Sequence, residues 1–503
     1  MMLKSAIKRS IALILSVALL FSIFSLDVFA EEQSVTVNLK TYSSAAPEAR
    51  MSHDAALAES INTQLKNFAE SVDISQFKLA PTQENINKIR NIISFELPEC
   101  FHIESFSYWA TTLYITAIAP DYNCEKAEYD IMLAECEAAA DKMLEGVEGN
   151  DKLGDVEKLL ILHDRIALSC EYDYERYLMG TLPLISHTMY GVFVNGLAVC
   201  QGYALAYSYL LDRIGIENYY CASDLLIHGW NIVYVDGKPY HVDITWDDNP
   251  WDITGRVDHE NFLVSTEKLI QNGHYEKDED GNLLYDYDTS PTDNTYDNYF
   301  WQNIDTAFIL LNDEIYYTDY VYDDLSGTQS IYIKRYSNGE TLYETKHYWM
   351  ANSSQFYPGN YARLSVCGSK LLFSLSDGIY TLNPKNNAVN QILSKQNLGV
   401  NFNIYGFTYS NGILIYDLAD YPDFTGETKK NFEYKVPYHD AGNINEDGFV
   451  DLKDVTTLAQ AFAGWQVECN TSAFDVNGDK KANLNDLVHL AQYIAGWNGI
   501  VIY

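Results

Sequence analysis

Apolar residues recur at helical spacing over 55–69, 84–93, 125–144 and 156–169, and each stretch predicts an amphipathic helix. Between the second and third, 106–119 reads as a strand pair, with Tyr108, Trp109, Leu113, Ile115 and Ile118 apolar. Helical periodicity returns over 201–214 and stops at Gly215. Two strand-like runs follow, 230–235 and 240–244. Asp236-Gly237 separates them, a dipeptide that favours a two-residue hairpin turn. From 301 to about 437 the pattern changes to short strands, among them 315–317, 331–333, 370–374 and 413–416. Turn signals at Asn338-Gly339, Asp377-Gly378 and Asn411-Gly412 punctuate them, and seventeen of the 40 tyrosines fall in 301–440. This region predicts an all-β, propeller-like domain. The last stretch is a duplication: 452–465 matches 484–497 at an offset of 32 residues, so one supersecondary unit occurs twice.

The first thirty residues read as an address. Lys4, Lys8 and Arg9 precede an apolar run at 11–24, and Val28-Phe29-Ala30 supplies small residues for cleavage after Ala30. A signal peptide predicts a secreted, extracellular or cell-surface location. No later run reaches the ~18 apolar residues a membrane-spanning helix needs. The expected organisation is 1–30 signal peptide, 31–150 helical and α+β support region and 151–275 core. An acidic linker at 276–300, the β-rich domain at 301–437 and the duplicated module at 440–503 complete it.

Composition narrows the partners. With 503 residues, 47% hydrophobic and 20% charged, the chain can bury sizeable cores and is not disordered throughout. Its 70 acidic against 33 basic residues give a net charge of −37. That argues against nucleic acid or an anionic membrane surface as the main partner, since both need a basic face. Eight cysteines lie scattered without CxxC spacing, so neither a disulfide scaffold nor structural zinc is expected.

One of those cysteines has a distinctive setting. Cys200 precedes the helix predicted at 201–214, where the helix dipole favours a thiolate, and Gly202 leaves room for close backbone approach. His228 lies eight residues before the hairpin turn and Asp243 seven after it, so strand pairing brings them together as cross-strand neighbours. A thiolate attacks a carbonyl carbon, an imidazole moves the proton, and a carboxylate fixes the imidazole tautomer. The Cys200 backbone N–H is a candidate oxyanion donor, with Trp230 and Gln201 as candidates for the second. The motifs Val199-Cys-Gln-Gly-Tyr-Ala, His228-Gly-Trp-Asn and Val242-Asp-Ile-Thr-Trp-Asp-Asp closely resemble the bacterial secreted branch of the transglutaminase-like superfamily. Leu162-His-Asp-Arg and His259-Glu-Asn-Phe-Leu-Val-Ser also match it. The resemblance covers roughly 60–275. It implies a papain-like α+β core with Cys200 as nucleophile, His228 as base and Asp243 as orienter. Gly229 stands where that family more often has alanine, a change expected to be tolerated. His241 is expected on the same face as Asp243, Cys221 in the core, and Trp246, Asp247 and Asp248 in a structural or substrate-shaping role.

The duplication carries oxygen donors at calcium-loop spacing. Copy one has Asn443, Asn445, Asp447, Phe449 (through its carbonyl), Asp451 and Asp454; copy two has Asp475, Asn477, Asp479, Lys481 (likewise), Asn483 and Asp486. Both copies resemble the type I dockerin, a small all-α module of two EF-hand-type loop–helix units. The resemblance implies two calcium ions as cofactors and a cohesin partner on a scaffolding protein. It places the partner-reading residues at Leu452, Lys453, Leu484 and Asn485. Asn443 removes a charge from site one, and Lys480 replaces the glycine expected at the turn of site two.

These features predict a secreted thiol enzyme of a cellulosome-type complex. It would act on the amide bonds of a protein or peptide by transamidation, deamidation or cleavage, with no cofactor for the thiol step. The alternatives are a non-catalytic glycan- or cell-wall-binding component and a polysaccharide-degrading component of the same complex.

Overall fold

Residues 36–39, 54–248, 254–323, 325–350, 356–395, 403–410, 413–419, 430–435, 442–445, 450–467, 469–479, 481–497, 500 and 502 are described by a computed structural model. The predicted signal peptide and residues Asp447, Phe449 and Lys480 lie outside them. The chain mixes helices with many small, mostly antiparallel sheets, none of which closes into a barrel among the described residues. It divides into two units: 1–135 with 222–227 and 286–288, and the remainder.

In the first unit, the helix Ala55–Lys66 is capped by Asp54, whose side chain accepts the Leu57 N–H. Leu57, Ile61 and Leu65 recur every fourth residue and are fully buried. The helix Gln83–Asn91 buries Ile86 and Ile89, and a π-helical turn, Ile92–Glu96, extends it. A four-stranded sheet in the order Val37–Asn38, Ile103–Ala110, Ile115–Tyr122, Val72–Asp73 completes this core.

The second unit holds the helix Cys200–Ile214, buried along most of its length. It packs on the helix Asp155–Ala167 and on the strand His228–Val235. Polar groups fix that packing: Asn231 Nδ2 donates to the Ala204 carbonyl at 3.0 Å and to Ser208 Oγ at 2.9 Å, and Tyr207 Oη donates to the Leu159 carbonyl at 2.9 Å. A Cβ on Gly202 would stand 2.9 Å from the Ser186 carbonyl oxygen, so the helix needs glycine there. The adjoining antiparallel sheet has the order Phe262–Val264, Lys238–Val242, His228–Val235, Asn218–Ser223. Asp236 and Gly237 both take positive φ in the hairpin turn.

The second strand of that hairpin ends earlier than its apolar pattern suggests. Asn231 pairs with Val242, and the ladder stops there; Ile244 opens a short helix, Ile244–Asp247, instead of continuing the strand. Asp243 is its N-cap, a position that suits a carboxylate because it accepts first-turn N–H groups.

The acidic stretch after 276 is tied down by its own carboxylates. Asp293 accepts hydrogen bonds from Lys238 Nζ and Tyr240 Oη at 2.6 Å each, and Asp297 accepts the N–H and hydroxyl of Ser265 at 2.7 and 2.6 Å. Beyond it, among the described residues, come three antiparallel meanders, spanning Ile309–Leu311 to Thr341–Thr345, Leu364–Cys367 to Ala388–Ser394, and Asn403–Ser410 to Lys430–Lys435, with a two-stranded pair, Trp349–Met350 and Phe356–Tyr357, between the first two. The chain's C-terminal helices are Leu452–Phe462 and Leu484–Ile494. None of the eight cysteines is joined in a disulfide. Among the described residues no helix is long and apolar enough to cross a membrane.

Candidate functional site

Three elements bring Cys200, His228 and Asp243 together. Cys200 is the first residue of its helix, His228 the first of its strand, and Asp243 the cap of the short helix. All three are buried. His228 Nε2 lies 2.6 Å from Asp243 Oδ2, and the imidazole is also within hydrogen-bonding reach of the Cys200 thiol. The meeting of His228 and Asp243 is not the cross-strand pairing expected from the turn. The ladder places Asp243 one residue beyond its last pair, and the side-chain bond bridges the difference.

The electrostatics favour a charged imidazole. Burial by itself pushes His228 down, but the charges of Asp243 and Cys200 and their hydrogen bonds outweigh it and raise the pKa to about 10. Burial likewise pushes Asp243 up, and the two neighbouring imidazoles outweigh it, holding the carboxyl far below its usual range. The second imidazole is His274, whose Nε2 is 2.7 Å from the same Asp243 Oδ2. No local motif marked it, because it lies in a loop 31 residues beyond the aspartate.

The remaining residues singled out by sequence fall around this centre. Trp230 Nε1 donates to His241 Nδ1 at 3.0 Å, so the indole is engaged there and Trp230 is not an oxyanion donor in this arrangement. His241, fully buried, spans from Trp230 to Thr266 Oγ1 at 3.0 Å and fixes the tryptophan. The Gln201 side chain hydrogen-bonds His187. Cys221 is buried. Trp246 is 41% exposed and its ring lies 5.8 Å from that of His228. A Cβ on Gly229 would fall 1.9 Å from Tyr220 Oη, so the tyrosine fills the space an alanine methyl would need and would have to shift to admit it.

Behind the centre lies a second buried network. His163 Nδ1 meets Asp164 Oδ1 at 2.8 Å and its Nε2 meets Asp247 Oδ2 at 3.2 Å. His259 Nε2 meets Asp164 Oδ1 at 2.9 Å. Asp247 also accepts the Asn261 N–H and side-chain amide. Burial pushes the His163 imidazole down, yet both carboxylates pull it up to about 9. Asp247 thereby anchors the short helix that Asp243 caps. The motifs around His163 and His259 stood out in the sequence, but their mutual contact did not. Asp248 accepts the Tyr203 hydroxyl at 2.5 Å.

The duplicated C-terminal units have matching geometry. Asp451 and Asn483 cap their helices in capping boxes with Asp454 and Asp486 at the third helical position. Asp454 Oδ1 accepts the Asn445 N–H at 3.0 Å and Oδ2 the Asp451 N–H at 2.8 Å. Asp486 repeats this with Asn477 at 3.2 Å and Asn483 at 2.8 Å. Ile444, Leu458, Val476 and Leu490 form the shared core. The model of the Dockerin type I domain matches residues 441–495. Residues 441–495 are a dockerin type I domain.

No curated protein matches the chain. A solved structure described as "Crystal structure of a TGase" is similar at 14% identity and TM-score 0.21. The match covers 34% of this chain and 49% of that one, and likeness at that level does not establish a shared fold.

The described part of the dockerin loops suits a hard cation. Asn443, Asn445, Asp451 and Asp454 in one loop, and Asp475, Asn477, Asp479, Asn483 and Asp486 in the other, bring side-chain oxygens, the donor class calcium takes. The Lys481 carbonyl, at the seventh position, accepts Asn483 Nδ2 at 3.1 Å. Asp447 and Phe449 fall outside the described residues. On the dockerin surface Leu452 is 70% and Leu484 65% exposed, each followed by an exposed polar residue, Lys453 or Asn485.

Proposed function

We propose that this chain is a thiol enzyme acting on amide bonds, carried into a cellulosome-type complex by its dockerin. The observation that carries the reading is the buried Cys200, His228 and Asp243 assembly, with an imidazole 2.6 Å from a carboxylate and in hydrogen-bonding reach of the thiol. His228 takes the thiol proton. The Cys200 sulfur attacks the amide carbonyl carbon, and the electron pair of the C=O bond moves onto oxygen. Cys200 opens its helix, where the first-turn amides and the positive end of the dipole favour negative charge, and its N–H serves as an oxyanion donor. On collapse the C–N bond breaks, the imidazolium protonates the departing amine, and a thioester remains. Water or an amine, deprotonated by His228, attacks that thioester and frees the thiol. Asp243 keeps the imidazole in the tautomer that serves both halves.

The geometry supports a papain- or transglutaminase-like core at 151–275, with the support region at 31–150 before it. The three meanders that follow support blade-like repetition at 301–437. By its family, the dockerin binds two calcium ions and docks on a cohesin through Leu452, Lys453, Leu484 and Asn485. That role fits an extracellular site of action and the signal peptide read at 1–30. The test is amide turnover, with ammonia or amine release read from glutamine-containing and general peptides, in the full chain and in Cys200→Ala. Loss of turnover in the variant is expected; equal turnover overturns the reading.

A further inference from the structure

Asp243 serves two imidazoles from one oxygen. His228 Nε2 meets Oδ2 at 2.6 Å and His274 Nε2 meets the same atom at 2.7 Å, while Oδ1 accepts the Trp246 N–H at 3.2 Å. His274 follows the helix Thr266–Gln271, and its own N–H donates to the Leu269 carbonyl at 3.2 Å. It is fully buried. The Trp246 indole covers its ring at 3.8 Å between centroids, and Trp230 meets it edge-on at 5.3 Å. The ring is thus held by aromatic contacts and by its backbone, with Nε2 directed at the carboxylate.

We propose that His274 is a positioning residue: its Nε2–H holds Asp243 so that Oδ2 faces His228, and sharing that oxygen limits how strongly the carboxylate binds the imidazolium. The inference rests on Cys200, His228 and Asp243 being the reactive centre. A carboxylate with a single strong donor can pivot about its side-chain torsions; a second donor removes that freedom and lowers its proton affinity. Burial lowers the His274 pKa, which leaves it a neutral donor at neutral pH. It therefore steadies the carboxylate without placing a second positive charge beside His228. Among the described residues, the titratable groups facing Asp243 are these two imidazoles by hydrogen bond, with Tyr172 and Tyr220 acting on it through space. His274 itself faces Asp243 and His228.

Two readouts on the full-length protein test this in His274→Phe and His274→Gln. The first is the rate of iodoacetamide labelling of Cys200 between pH 4 and pH 10. The second is the NMR titration midpoint of the His228 ring, which needs no reaction at the thiol. Phenylalanine keeps the ring volume and removes the donor, and the glutamine amide N–H reaches where Nε2 stood. In H274F the acid limb of labelling and the His228 midpoint are both expected to rise by about one pH unit, because the carboxylate becomes more basic. H274Q returns both towards the unmodified protein. Unmoved limbs and midpoint in H274F, or H274Q behaving as H274F, overturn the proposal. Should H274F fail to fold, His274→Asn replaces it: the shorter amide cannot reach Asp243, so H274N shifts both values and H274Q does not. A His228 midpoint that moves as stated, in a protein whose Cys200 labels no faster than Cys367, sinks the catalytic reading and leaves the positioning role of His274 standing.

Discussion

Asp243 and Asp454 are both fully buried carboxylates, held by opposite means. Asp243 takes two imidazoles, one 15 residues before it and one 31 after, plus the N–H of the helix it caps. Asp454 takes two backbone N–H groups from within nine residues, Asn445 and Asp451, and its partner Asp486 repeats the pattern. A carboxylate compensated by distant side chains exists only once the whole core has assembled, and then needs no ion. One compensated by local backbone forms with its own helix start, but the neighbouring loop oxygens still repel one another unless a cation joins them.

The comparison can be broken at either end. The largest effect is expected from Cys200→Ala, which removes the attacking atom: amide turnover falls by about 10⁴-fold or more, while thermal unfolding of the dockerin helices is unchanged. Asp243→Asn comes next, with turnover down about 10³–10⁴-fold near pH 8. The sign follows from His228, whose pKa the carboxylate raises to about 10. Without the charge the imidazolium that protonates the departing amine is lost at lower pH, so the alkaline limb of amide turnover moves down in a pH–rate profile. An unmoved limb would show that Asp243 does not govern the imidazole.

Chelation should separate the two regions. EDTA is expected to lower the dockerin's unfolding midpoint, worth about 2.7 kcal/mol if calcium stood at a hundred times its dissociation constant. The Cys200 labelling rate stays as it was; a parallel fall in both would mean the core depends on the ion too. Gly229→Ala tests how tightly the core is built around the site. Its methyl would overlap Tyr220 Oη, so a loss of about 1–3 kcal/mol is expected by denaturant titration, less in a Tyr220→Phe background. The smallest effect is Asp454→Ala measured without calcium, about 1 kcal/mol for the lost capping box in peptide or domain helicity.

Legibility follows the same division. The dockerin was recognisable in the sequence, because loop spacing, helix caps and the repeat are all local and each short segment dictates its own backbone. The helix opened by Cys200 and the hairpin turned at Asp236-Gly237 were readable for the same reason. The strand expected over 240–244 ended at Val242 instead. Apolar alternation does not register that Asp243 can accept the Trp246 N–H and start a helix. Gly229, expected merely to be tolerated where the family more often has alanine, leaves the room that Tyr220 fills on its open face. The acidic stretch after 276 reads as a linker by charge alone, yet Asp293 and Asp297 hydrogen-bond Lys238, Tyr240 and Ser265.

The amino-acid order by itself determined the local elements, the duplicated oxygen loops and the three side chains Cys200, His228 and Asp243, since periodicity, turn chemistry and donor spacing act over a few residues. Only the tertiary structure decided that His274 shares the Asp243 oxygen, that His163, Asp164, Asp247 and His259 form one buried network, and that Trp230 is engaged by His241. Those contacts join residues as many as 95 positions apart. Buried polar groups must find partners wherever the fold brings them, and that choice is made by packing in three dimensions, not by any pattern along the chain.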